Sequence, residues 1–280
     1  MPVRERADIL LVESGLAESR SAAQRLIMAG QVRADGERVL RPAQRLERST
    51  RLTVDQAARF VSRGGEKLAA ALETLPIVIA GKTCADVGAS TGGFTDCLLQ
   101  AGATRVYAID VGQGILHWRL RNDPRVVVME GINARHLTGL PEPVSVVTLD
   151  LSFISLRLIL PHLPGWMTPD GEVVALVKPQ FEAGKQAVGR GGVVRDEAAR
   201  QQALHAVAEA ASAAGLVPQA ALRSPLLGPK GNVEFLLWAR RAGPALALEV
   251  ALAGARPAES GESDDISGIL PPAGGSTPAP

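Results

Sequence analysis

The chain has 280 residues, of which 46% are hydrophobic and 21% are charged, and its formal net charge is +1. This length allows one large domain with a small one, and this composition is ordinary for a globular core. The two cysteines, Cys84 and Cys97, stand in no CxxC or Cys/His pattern, which excludes a disulfide framework and disfavours a zinc site. The N-terminus lacks a signal-peptide pattern, and no run approaches the ~18 apolar residues needed to span a bilayer. We therefore expect a cytoplasmic protein with no metal and no membrane partner.

Charge is unevenly distributed along the sequence. Residues 1–67 contain thirteen Lys and Arg against nine acids, a net charge of +4, whereas residues 256–280 carry a net charge of −3. A basic N-terminal part favours a polyanionic partner, although arginine-rich helix faces are also common on solvated surfaces.

The first segment predicts two short helices followed by a hairpin. Within ADILLVESGL, the apolar positions at helical spacing are Ile9, Val12 and Leu16. The second helix lies in SRSAAQRLIMAG, with Ser19 or Glu18 near its N-cap. In QVRADGERVL, the dipeptide Asp35-Gly36 predicts a tight turn between two strands.

This order of elements resembles the small RNA-binding module of ribosomal protein S4. The resemblance covers roughly fifty residues and is carried by RADILLVESGLAESRSAAQRLIMAGQV. It implies RNA binding by basic side chains of the module, among them Arg6, Arg20 and Arg25. The alternative is a helical dimerisation module whose arginines bind nothing.

The second segment, from about 60 to 242, alternates apolar strand-like runs with helical stretches. Strands are predicted in TCADVGA, RVYAIDVG, VVVMEGI, SVVTLDLS, GEVVALVKP and NVEFLLWAR, and the plainest helix is EAARQQALHAVAEAASAAG. Strands without polar alternation, separated by helices, indicate a mostly parallel sheet covered on both faces. The predicted fold class is α/β, with a Rossmann-like sheet.

A glycine-rich turn, CADVGASTGGFTD, connects the first of these strands to a helix. It lacks the lysine of a P-loop and misses the GxGxxG fingerprint of dinucleotide sites. Asp86 at the strand end would repel a pyrophosphate but suits a cationic ligand, and Asp110 lies where a carboxylate meets ribose hydroxyls in such a sheet. S-adenosylmethionine has a sulfonium, an ammonium and no phosphate, and is therefore the predicted cofactor. The predicted cofactor-binding residues are Asp86, Gly88, Ser90, Gly92, Gly93, Phe94 and Asp110.

Four charged residues stand at informative places in the predicted elements. Asp150 ends SVVTLD, Lys178 ends EVVALVK, and Glu234 lies within NVEFLLW. Strands pointing to one edge would bring these three together, with Lys67 of SRGGEKL entering from the first helix. Lys178 and Glu234 interrupt runs that otherwise look buried, and burial of such groups is costly unless they are paired or used.

The order of these four residues resembles that of the FtsJ-like RNA ribose 2′-O-methyltransferases. Together, SRGGEKL, DVGASTGGFTD, TLDLSFISL, LVKPQFEAG and GNVEFLLW resemble the TlyA (haemolysin-A) family over roughly residues 5 to 240. The sequence departs from that family at Phe60 and Gly131, where relatives often have Trp and Arg. The resemblance implies a Rossmann-like S-adenosylmethionine-dependent methyltransferase preceded by a small α+β RNA-binding domain.

The resemblance also implies methylation of a cytidine 2′-hydroxyl in ribosomal RNA, with rRNA or ribosomal subunits as the partner. It leaves Asn133 as a contact on the adenine side of the cofactor. A ribose hydroxyl is a poor nucleophile that must lose its proton as the methyl group arrives, and a neutral lysine can accept this proton. Lys178 is the predicted base and Lys67 a second cation, while Asp150 and Glu234 orient the two amines.

Other activities fit these residues less well. Amino-group methylation of a nucleobase usually requires an Asn/Asp-Pro-Pro-Tyr/Phe turn where this chain has Asp150-Leu-Ser-Phe153, and neither cysteine is placed for cytosine C5 methylation. No segment has the membrane-spanning or amphipathic character of a pore-forming haemolysin. The remaining alternative is a non-enzymatic RNA-binding ribosome-assembly factor that binds S-adenosylmethionine.

The predicted domain boundaries follow from these segments. Residues 1–58 form the RNA-binding domain, residues 59–252 form the methyltransferase domain, and residues 253–280 form a tail. The tail is acidic and rich in Pro, Gly and Ser, a composition typical of disorder.

Overall fold

The computed structural model describes residues 4–55, 58–244 and 246–256. The chain divides between Arg59 and Phe60 into two compact units, here called the N-terminal unit and the sheet unit. From residue 257 on, the predicted tail lies outside the described residues. Its first residues, Ala253–Ala255, form a 3-10 turn, and Ala255 is buried, so the ordered chain extends past position 252.

The N-terminal unit consists of two helices and five short strands. The helices are α1 (Ala7–Glu13) and α2 (Arg20–Met28). The strands are β1 (Arg4–Arg6), β2 (Val32–Ala34), β3 (Glu37–Arg38), β4 (Arg45–Glu47) and β5 (Leu52–Val54). Strand β1 pairs with β4, and β2 pairs with both β3 and β5, all antiparallel. This small α+β unit has its own hydrophobic core.

Local signals in this unit have mixed outcomes. Ser19 caps α2 by accepting a hydrogen bond from the Ala22 amide, and the predicted Asp35-Gly36 turn joins β2 to β3 with both residues at positive φ. These two predictions are confirmed. The predicted apolar face of α1 is wrong, because its buried apolar residues are Ala7, Leu10 and Leu11, whereas Val12 and Leu16 are exposed. With α1 only seven residues long, helical spacing could not decide between two adjacent stripes.

The sheet unit is built on one seven-stranded sheet. Its strands are β6 (Thr83–Val87), β7 (Arg105–Asp110), β8 (Val126–Glu130), β9 (Val144–Leu149), β10 (Met167–Val177), β11 (Val217–Arg223) and β12 (Phe235–Arg240). The spatial order is β11-β12-β10-β9-β6-β7-β8. All pairs are parallel except those made by β12, which runs antiparallel to β10 and β11. The predicted mostly parallel α/β sheet is confirmed.

The topology reverses direction at β6. This strand pairs with β7 on one side and with β9 on the other, so the chain winds outward in both directions from it. In open α/β sheets, the crevice at the carboxyl ends of two such strands is where ligands bind. The glycine-rich turn, which follows β6, lies at this crevice.

Helices cover both faces of the sheet. The α-helices are α3 (Gly64–Thr74), α4 (Gly93–Gln100), α5 (Trp118–Arg121), α6 (Pro179–Glu182), α7 (Glu197–Ala213) and α8 (Leu248–Ala251). Further 3-10 turns lie at Ala134–His136, Leu156–Leu158, Leu160–Gly165 and Lys185–Ala187. Alternate strand residues enter two separate hydrophobic cores, one containing Ala85 and Val147 and the other Cys84 and Val146. Such alternation places the two cores on opposite faces.

The edge strand β11 was not predicted from the sequence. Its segment contains Pro218 and several alanines, which carry little strand signal. Proline is tolerated there because β11 lies at the edge of the sheet and pairs only with β12.

Candidate active site

Strand register brings three of the predicted catalytic residues to neighbouring strand ends. Asp150 follows β9, Lys178 follows β10, and Glu234 precedes the antiparallel β12. Val177 is opposite Phe235, so Lys178 and Glu234 leave their strands side by side, and β9 is the next strand along. Lys67 comes from α3, where it is buried. The predicted convergence is therefore present in the structure.

The four side chains form two ion pairs. Lys67 Nζ lies 2.5 Å from Glu234 Oε2, and Lys178 Nζ lies 2.6 Å from Asp150 Oδ1. Lys178 Nζ also donates a hydrogen bond to Ser152 Oγ at 3.0 Å, whereas its approach to Asp150 is an ion pair without hydrogen-bond alignment. We refer to Lys67, Asp150, Lys178 and Glu234 as the tetrad.

One carboxylate oxygen of the tetrad has no partner in the part of the chain that the structure describes. Glu234 Oε1 is buried and accepts no hydrogen bond, whereas buried Asp150 Oδ1 lies 2.6 Å from Lys178 Nζ in an ion pair. An unsatisfied buried acceptor costs about 1–3 kcal/mol, so such atoms in a cavity favour a bound donor. A sugar hydroxyl is a donor of this kind.

All four tetrad residues line one cavity of about 640 Å³. Its other walls are the start of α3, the glycine-rich turn and two loops that lie before α7 and before β12. The residues from these walls include Ser62, Gly64, Gly93, Phe94, Gly192 and Leu226. We call this space the tetrad cavity.

A second cavity of about 480 Å³ lies on the β7 side of the same turn. Asp110 and Asn133, both predicted as cofactor contacts, line it together with apolar residues such as Ile109 and Ile132. Gly88 and Ser90 line both cavities, as does Asp150. The two spaces thus share the glycine-rich turn as a common wall, and we call the second one the β7 cavity.

Close backbone packing explains two glycines of the turn. Gly88 has φ +85°, and a Cβ atom there would lie 2.5 Å from the carbonyl oxygen of Asp150. A Cβ atom on Gly93 would collide with Ser62 Oγ and approach the Gly65 nitrogen to 2.8 Å. Glycine at these positions lets the turn contact both the tetrad loop and the start of α3. Gly92 lies against Leu116 and Leu120 and lines neither cavity.

Asp86 does not line either cavity. Its carboxylate is fully buried under the turn, where it accepts hydrogen bonds from Thr95 Oγ1 at 2.7 Å and Thr148 Oγ1 at 3.0 Å. Burial raises the pKa of the Asp86 carboxyl to about 7 despite these two bonds. The expectation that its charge meets a cationic ligand directly is therefore not supported by its position. The sequence placed it at the strand end but could not show which way the side chain points.

Asp86 predicts a pH dependence of stability. Its pKa of about 7 in the folded chain lies above the ~3.9 of an unfolded chain, so the folded state holds this proton more tightly. The contribution of Asp86 to the free energy of unfolding should therefore fall as pH rises from about 4 to about 7. Asp86→Asn removes the titrating group, so the difference between wild type and variant in urea unfolding should change over this window. A difference that is constant between pH 4 and pH 7 contradicts the assignment.

Asp110 holds the turn that separates the two cavities. Its Oδ2 accepts a hydrogen bond from the Ser90 amide at 2.8 Å, and its Oδ1 accepts one from the Gly112 amide at 2.7 Å. Ser90 has φ +50°, an uncommon conformation for a residue with a side chain. Asn133, which lines the β7 cavity, accepts a hydrogen bond from the Arg135 amide through its side-chain oxygen. Each carboxylate oxygen of Asp110 keeps a further lone pair for a ligand hydroxyl.

Glu130 is a structural residue of this region that sequence reasoning missed. At the end of β8, it accepts hydrogen bonds from the backbone amides of Gly114, Ile115 and Leu116 and from Arg121. The Arg121 guanidinium and these amides lower the pKa of the Glu130 carboxyl to about 2. The sequence signal for Glu130 was its position as a carboxylate at the end of β8, the strand that follows Asp110 along the chain.

Phe153 is a second residue that the prediction left out. It has φ +65°, its surface is 91% exposed, and its ring packs on Phe181 with centroids 5.3 Å apart. Phe153 lines both cavities, and Phe181 lines the tetrad cavity. An exposed aromatic ring that lines such a cavity is a suitable stacking surface for a nucleobase.

Glu182 connects the two loops that carry Asp150 and Lys178. Its carboxylate accepts hydrogen bonds from Ser155 Oγ at 2.5 Å and from the Leu156 amide at 2.7 Å, and its side chain is nearly completely buried. Since Glu182 ends the short helix that begins after Lys178, it fixes the distance between the β9 loop and the β10 loop. The motif LVKPQFEAG contains this glutamate, but nothing in its pattern shows what the glutamate contacts.

Replacement of Glu182 by alanine should loosen this connection. We expect the free energy of unfolding to fall by about 1–3 kcal/mol, because two donors lose their acceptor in a buried place. For the methyl transfer that the sequence predicts, we expect kcat to fall about tenfold through poorer placement of Lys178. Urea unfolding and initial rates measure the two effects, and Glu209→Ala on the exposed face of α7 is the control. An unchanged kcat in the Glu182→Ala protein contradicts the positioning role.

In the N-terminal unit, two of the three predicted RNA contacts have an intramolecular partner. Arg6 and Arg20 both bind the buried carboxylate of Asp8, which also accepts from Gln24. The Arg6 hydrogen bonds hold the pKa of Asp8 far below its usual range. Arg20 is still half exposed, and Arg25 is exposed on α2. Asp8 thus fixes the directions of two guanidinium groups at the surface.

Two features are absent from the residues that the structure describes. These residues contain no helix that is both long and apolar enough to cross a bilayer. They also contain no group of three or more His, Cys, Asp and Glu side chains arranged to hold a metal ion.

Comparison with known proteins gives consistent matches for both units. Residues 60–241 match the FtsJ-like methyltransferase family, and residues 5–52 match the S4 domain. The 16S/23S rRNA (cytidine-2′-O)-methyltransferase TlyA of Mycobacterium tuberculosis is 52% identical over 246 residues, which cover 86% of this chain and 91% of that protein.

Solved structures agree with these matches. A Streptococcus thermophilus protein described as a hemolysin is 41% identical, with a TM-score of 0.67 over 88% of this chain and 90% of that one. A Listeria monocytogenes protein described as an S-adenosylmethionine-dependent methyltransferase is 17% identical, with a TM-score of 0.50 over 65% of this chain and 100% of that one, and it shows the fold alone. The predicted Rossmann-like methyltransferase fold with an S4 domain is confirmed. The chain belongs to the FtsJ-like methyltransferase family.

Proposed function

We propose that this protein transfers the methyl group of S-adenosylmethionine to the ribose 2′-hydroxyl of a cytidine in ribosomal RNA. The observation that carries the proposal is the tetrad: two lysine–carboxylate pairs that line one cavity beside the glycine-rich turn. The name of the M. tuberculosis relative supports cytidine in rRNA as the acceptor. The proposed site residues are those predicted from the sequence, except that Asp86 and Gly92 act by shaping the turn.

In this proposal, the β7 cavity binds the nucleoside part of the cofactor, and the tetrad cavity binds the acceptor ribose. The β7 cavity offers Asp110 for ribose hydroxyls and Asn133 for the adenine ring, between apolar walls. The shared turn at Gly88 and Ser90 then leads toward the tetrad cavity, where the methyl group is needed. The methionine carboxylate fits the starts of α3 and α4, which meet at Gly64 and Gly93, because helix N-termini favour anions. These residues therefore suit a molecule with a nucleoside at one end and an amino acid at the other.

Asp110 provides a test of the cofactor site. We expect Asp110→Ala to weaken S-adenosylmethionine binding by about 1–3 kcal/mol, because ribose hydroxyls and the Ser90 amide lose their acceptor. Isothermal titration calorimetry measures this change. Asp123→Ala is the matched control, since Asp123 also holds a turn, through Arg125, but lines neither cavity. Equal affinities of wild type and Asp110→Ala would place the cofactor elsewhere.

In the proposed reaction, Lys178 is the general base. S-adenosylmethionine, held by Asp110 and Asn133, would supply an electrophilic methyl group to O2′, with S-adenosylhomocysteine as the leaving group. Lys178 first releases the proton that it holds in the ion pair with Asp150, and its Nζ atom then accepts the proton that leaves O2′. Asp150, 2.6 Å away, stabilises the positive charge that develops on Lys178 as the proton arrives.

The second ion pair orients the acceptor. Glu234 Oε1 is buried without a hydrogen-bond partner in the described structure, so it can accept a hydrogen bond from a ribose hydroxyl. Lys67 holds this carboxylate through Oε2 at 2.5 Å. The pair thereby fixes the direction of the free oxygen, and an aligned ribose needs less reorganisation to react.

The experiment that tests the proposed function is the mapping of ribose methylation in rRNA. Mass spectrometry of rRNA from cells with and without the protein should differ by at least one 2′-O-methylcytidine. Identical maps would favour the reading as an RNA-binding assembly factor.

A further inference from the structure

The side chains that line the tetrad cavity carry more positive charge than the four tetrad residues account for. Six charged side chains line the cavity: Arg63, Lys67, Asp150, Lys178, Lys230 and Glu234. The four tetrad residues neutralise one another as two ion pairs. The lining therefore has a net charge of +2, which comes entirely from Arg63 and Lys230.

These two cations are exposed at the wall of the cavity and have no ion-pair partner among the described residues. Because S-adenosylmethionine has a net positive charge, the cofactor as a whole does not account for two further cations. They fit an anion that enters the same cavity. In the proposed reaction, the acceptor RNA is that anion.

The backbone of the turn that carries Lys230 is held by hydrogen bonds. It lies in a turn between Gly228 and Gly231 that closes with a hydrogen bond from the Gly231 amide to the Gly228 carbonyl. Buried Asn232 ties this turn to the neighbouring loop, since its Oδ1 accepts from the Val194 amide and its Nδ2 donates to the Gly192 carbonyl.

The same turn is coupled to the tetrad. A Cβ atom on Gly228 would collide with Glu234 Oε1, so the backbone of the turn packs directly on this carboxylate. Arg63 stands at the N-cap of α3, the helix that carries Lys67 one turn later. Arg63 thus lies at the start of the helix that carries Lys67, and Lys230 lies in the turn that packs on Glu234. Each member of the Lys67–Glu234 ion pair therefore has one of these two cations on a neighbouring part of the backbone.

Covalent geometry places phosphates near these positions. In RNA, the 3′-phosphate is bonded to the carbon next to the one that carries the 2′-hydroxyl, and the 5′-phosphate lies on the other side of the same ribose. A ribose whose 2′-oxygen reaches Lys178 brings both phosphate groups with it toward the tetrad cavity. Lys and Arg bind phosphates through charge-assisted hydrogen bonds.

We propose that Lys230 and Arg63 form a subsite for the two phosphodiester groups that flank the target ribose. This inference rests on the proposed function, because it names how the acceptor is held in the same cavity. The subsite reads the backbone and not the base, so it contributes affinity and register without sequence selection.

The test compares Arg63→Gln, Lys230→Gln and the double variant with the wild type in methylation of ribosomal subunits. Each single change should raise KM for the RNA substrate about tenfold, the loss of one charge-assisted contact, with kcat within about twofold. The slope of the logarithm of the RNA-binding constant against the logarithm of the salt concentration should become shallower by about one for each lost contact. Lys230→Arg should restore most of the affinity because it keeps the charge.

Two controls separate this subsite from other effects. Arg119→Gln removes an exposed positive charge of the same unit that lines neither cavity, and it should leave KM and the salt slope unchanged. The affinity for S-adenosylmethionine, measured by calorimetry, should not fall in Arg63→Gln or in Lys230→Gln.

The subsite is overturned if the double variant keeps the wild-type KM and salt slope, if Arg119→Gln has an equal effect, or if cofactor affinity falls in parallel. These results leave the proposed function intact as long as the wild type methylates rRNA. A wild type that transfers no methyl group to ribosomal subunits overturns both the function and the subsite.

Discussion

Replacement of Lys178 by arginine is expected to lower methyl transfer to rRNA by about 10²–10⁴-fold, the usual contribution of a general base. Arginine keeps the positive charge and can still pair with Asp150, but its guanidinium stays protonated and cannot accept the proton from O2′. Lys178→Ala should be as inactive. The measurement is the initial rate of transfer of a radiolabelled methyl group to ribosomal subunits.

The structure offers a matched control for this substitution. Lys82 also pairs with a carboxylate, that of Glu172, but it precedes β6 and so lies at the opposite edge of the sheet. Lys82→Arg should keep wild-type rates, and Lys178→Arg should keep its affinity for S-adenosylmethionine. Wild-type turnover by Lys178→Arg would rule out a lysine base at this position.

Removal of residues 1–58 is expected to cause the second large effect. The sheet unit has its own core and carries every tetrad residue, so the shortened protein should fold and bind S-adenosylmethionine. Methylation of ribosomal subunits at low RNA concentration should fall by about 10²–10⁴-fold, because two linked RNA-binding units bind far more tightly than one. The basic side chains of the N-terminal unit, including Arg20 and Arg25, would supply the missing phosphate contacts.

This prediction is measured with full-length and shortened proteins at several concentrations of ribosomal subunits. The rate of the shortened protein should approach that of the full chain only at high RNA concentration, and its binding should depend less on salt. If both proteins methylate equally at low RNA concentration, the N-terminal unit has another task.

The sequence allowed the sheet to be predicted because its strands are buried on both faces. Runs such as VYAID and VVTLD carry no charge until a carboxylate ends them, and this position marks the carboxyl edge of a parallel sheet. Asp110, Asp150 and Lys178 could therefore be placed at one edge from the sequence alone. Edge strand β11 and the short helix α1 lacked such long buried runs, and there the prediction was incomplete or wrong.

Contacts between distant parts of the chain could not be read in the same way. Asp86 is one residue among several strand-end acids, and only the packing of Thr95 and Thr148 shows that its carboxylate points under the turn. Glu182 and Lys230 act through loops whose shapes depend on hydrogen bonds between segments far apart in sequence. Periodicity describes the face of an element but not the path of a loop, so these residues required the structure.

The tetrad account is tested most directly by locating the methyl group that the purified protein transfers. Wild type and Lys178→Ala are incubated with isotope-labelled S-adenosylmethionine and ribosomal subunits that lack the modification, and the digested rRNA is analysed by mass spectrometry. The account predicts label in 2′-O-methylcytidine for the wild type and none for Lys178→Ala. Label on a nucleobase, or equal labelling by the two proteins, would contradict it.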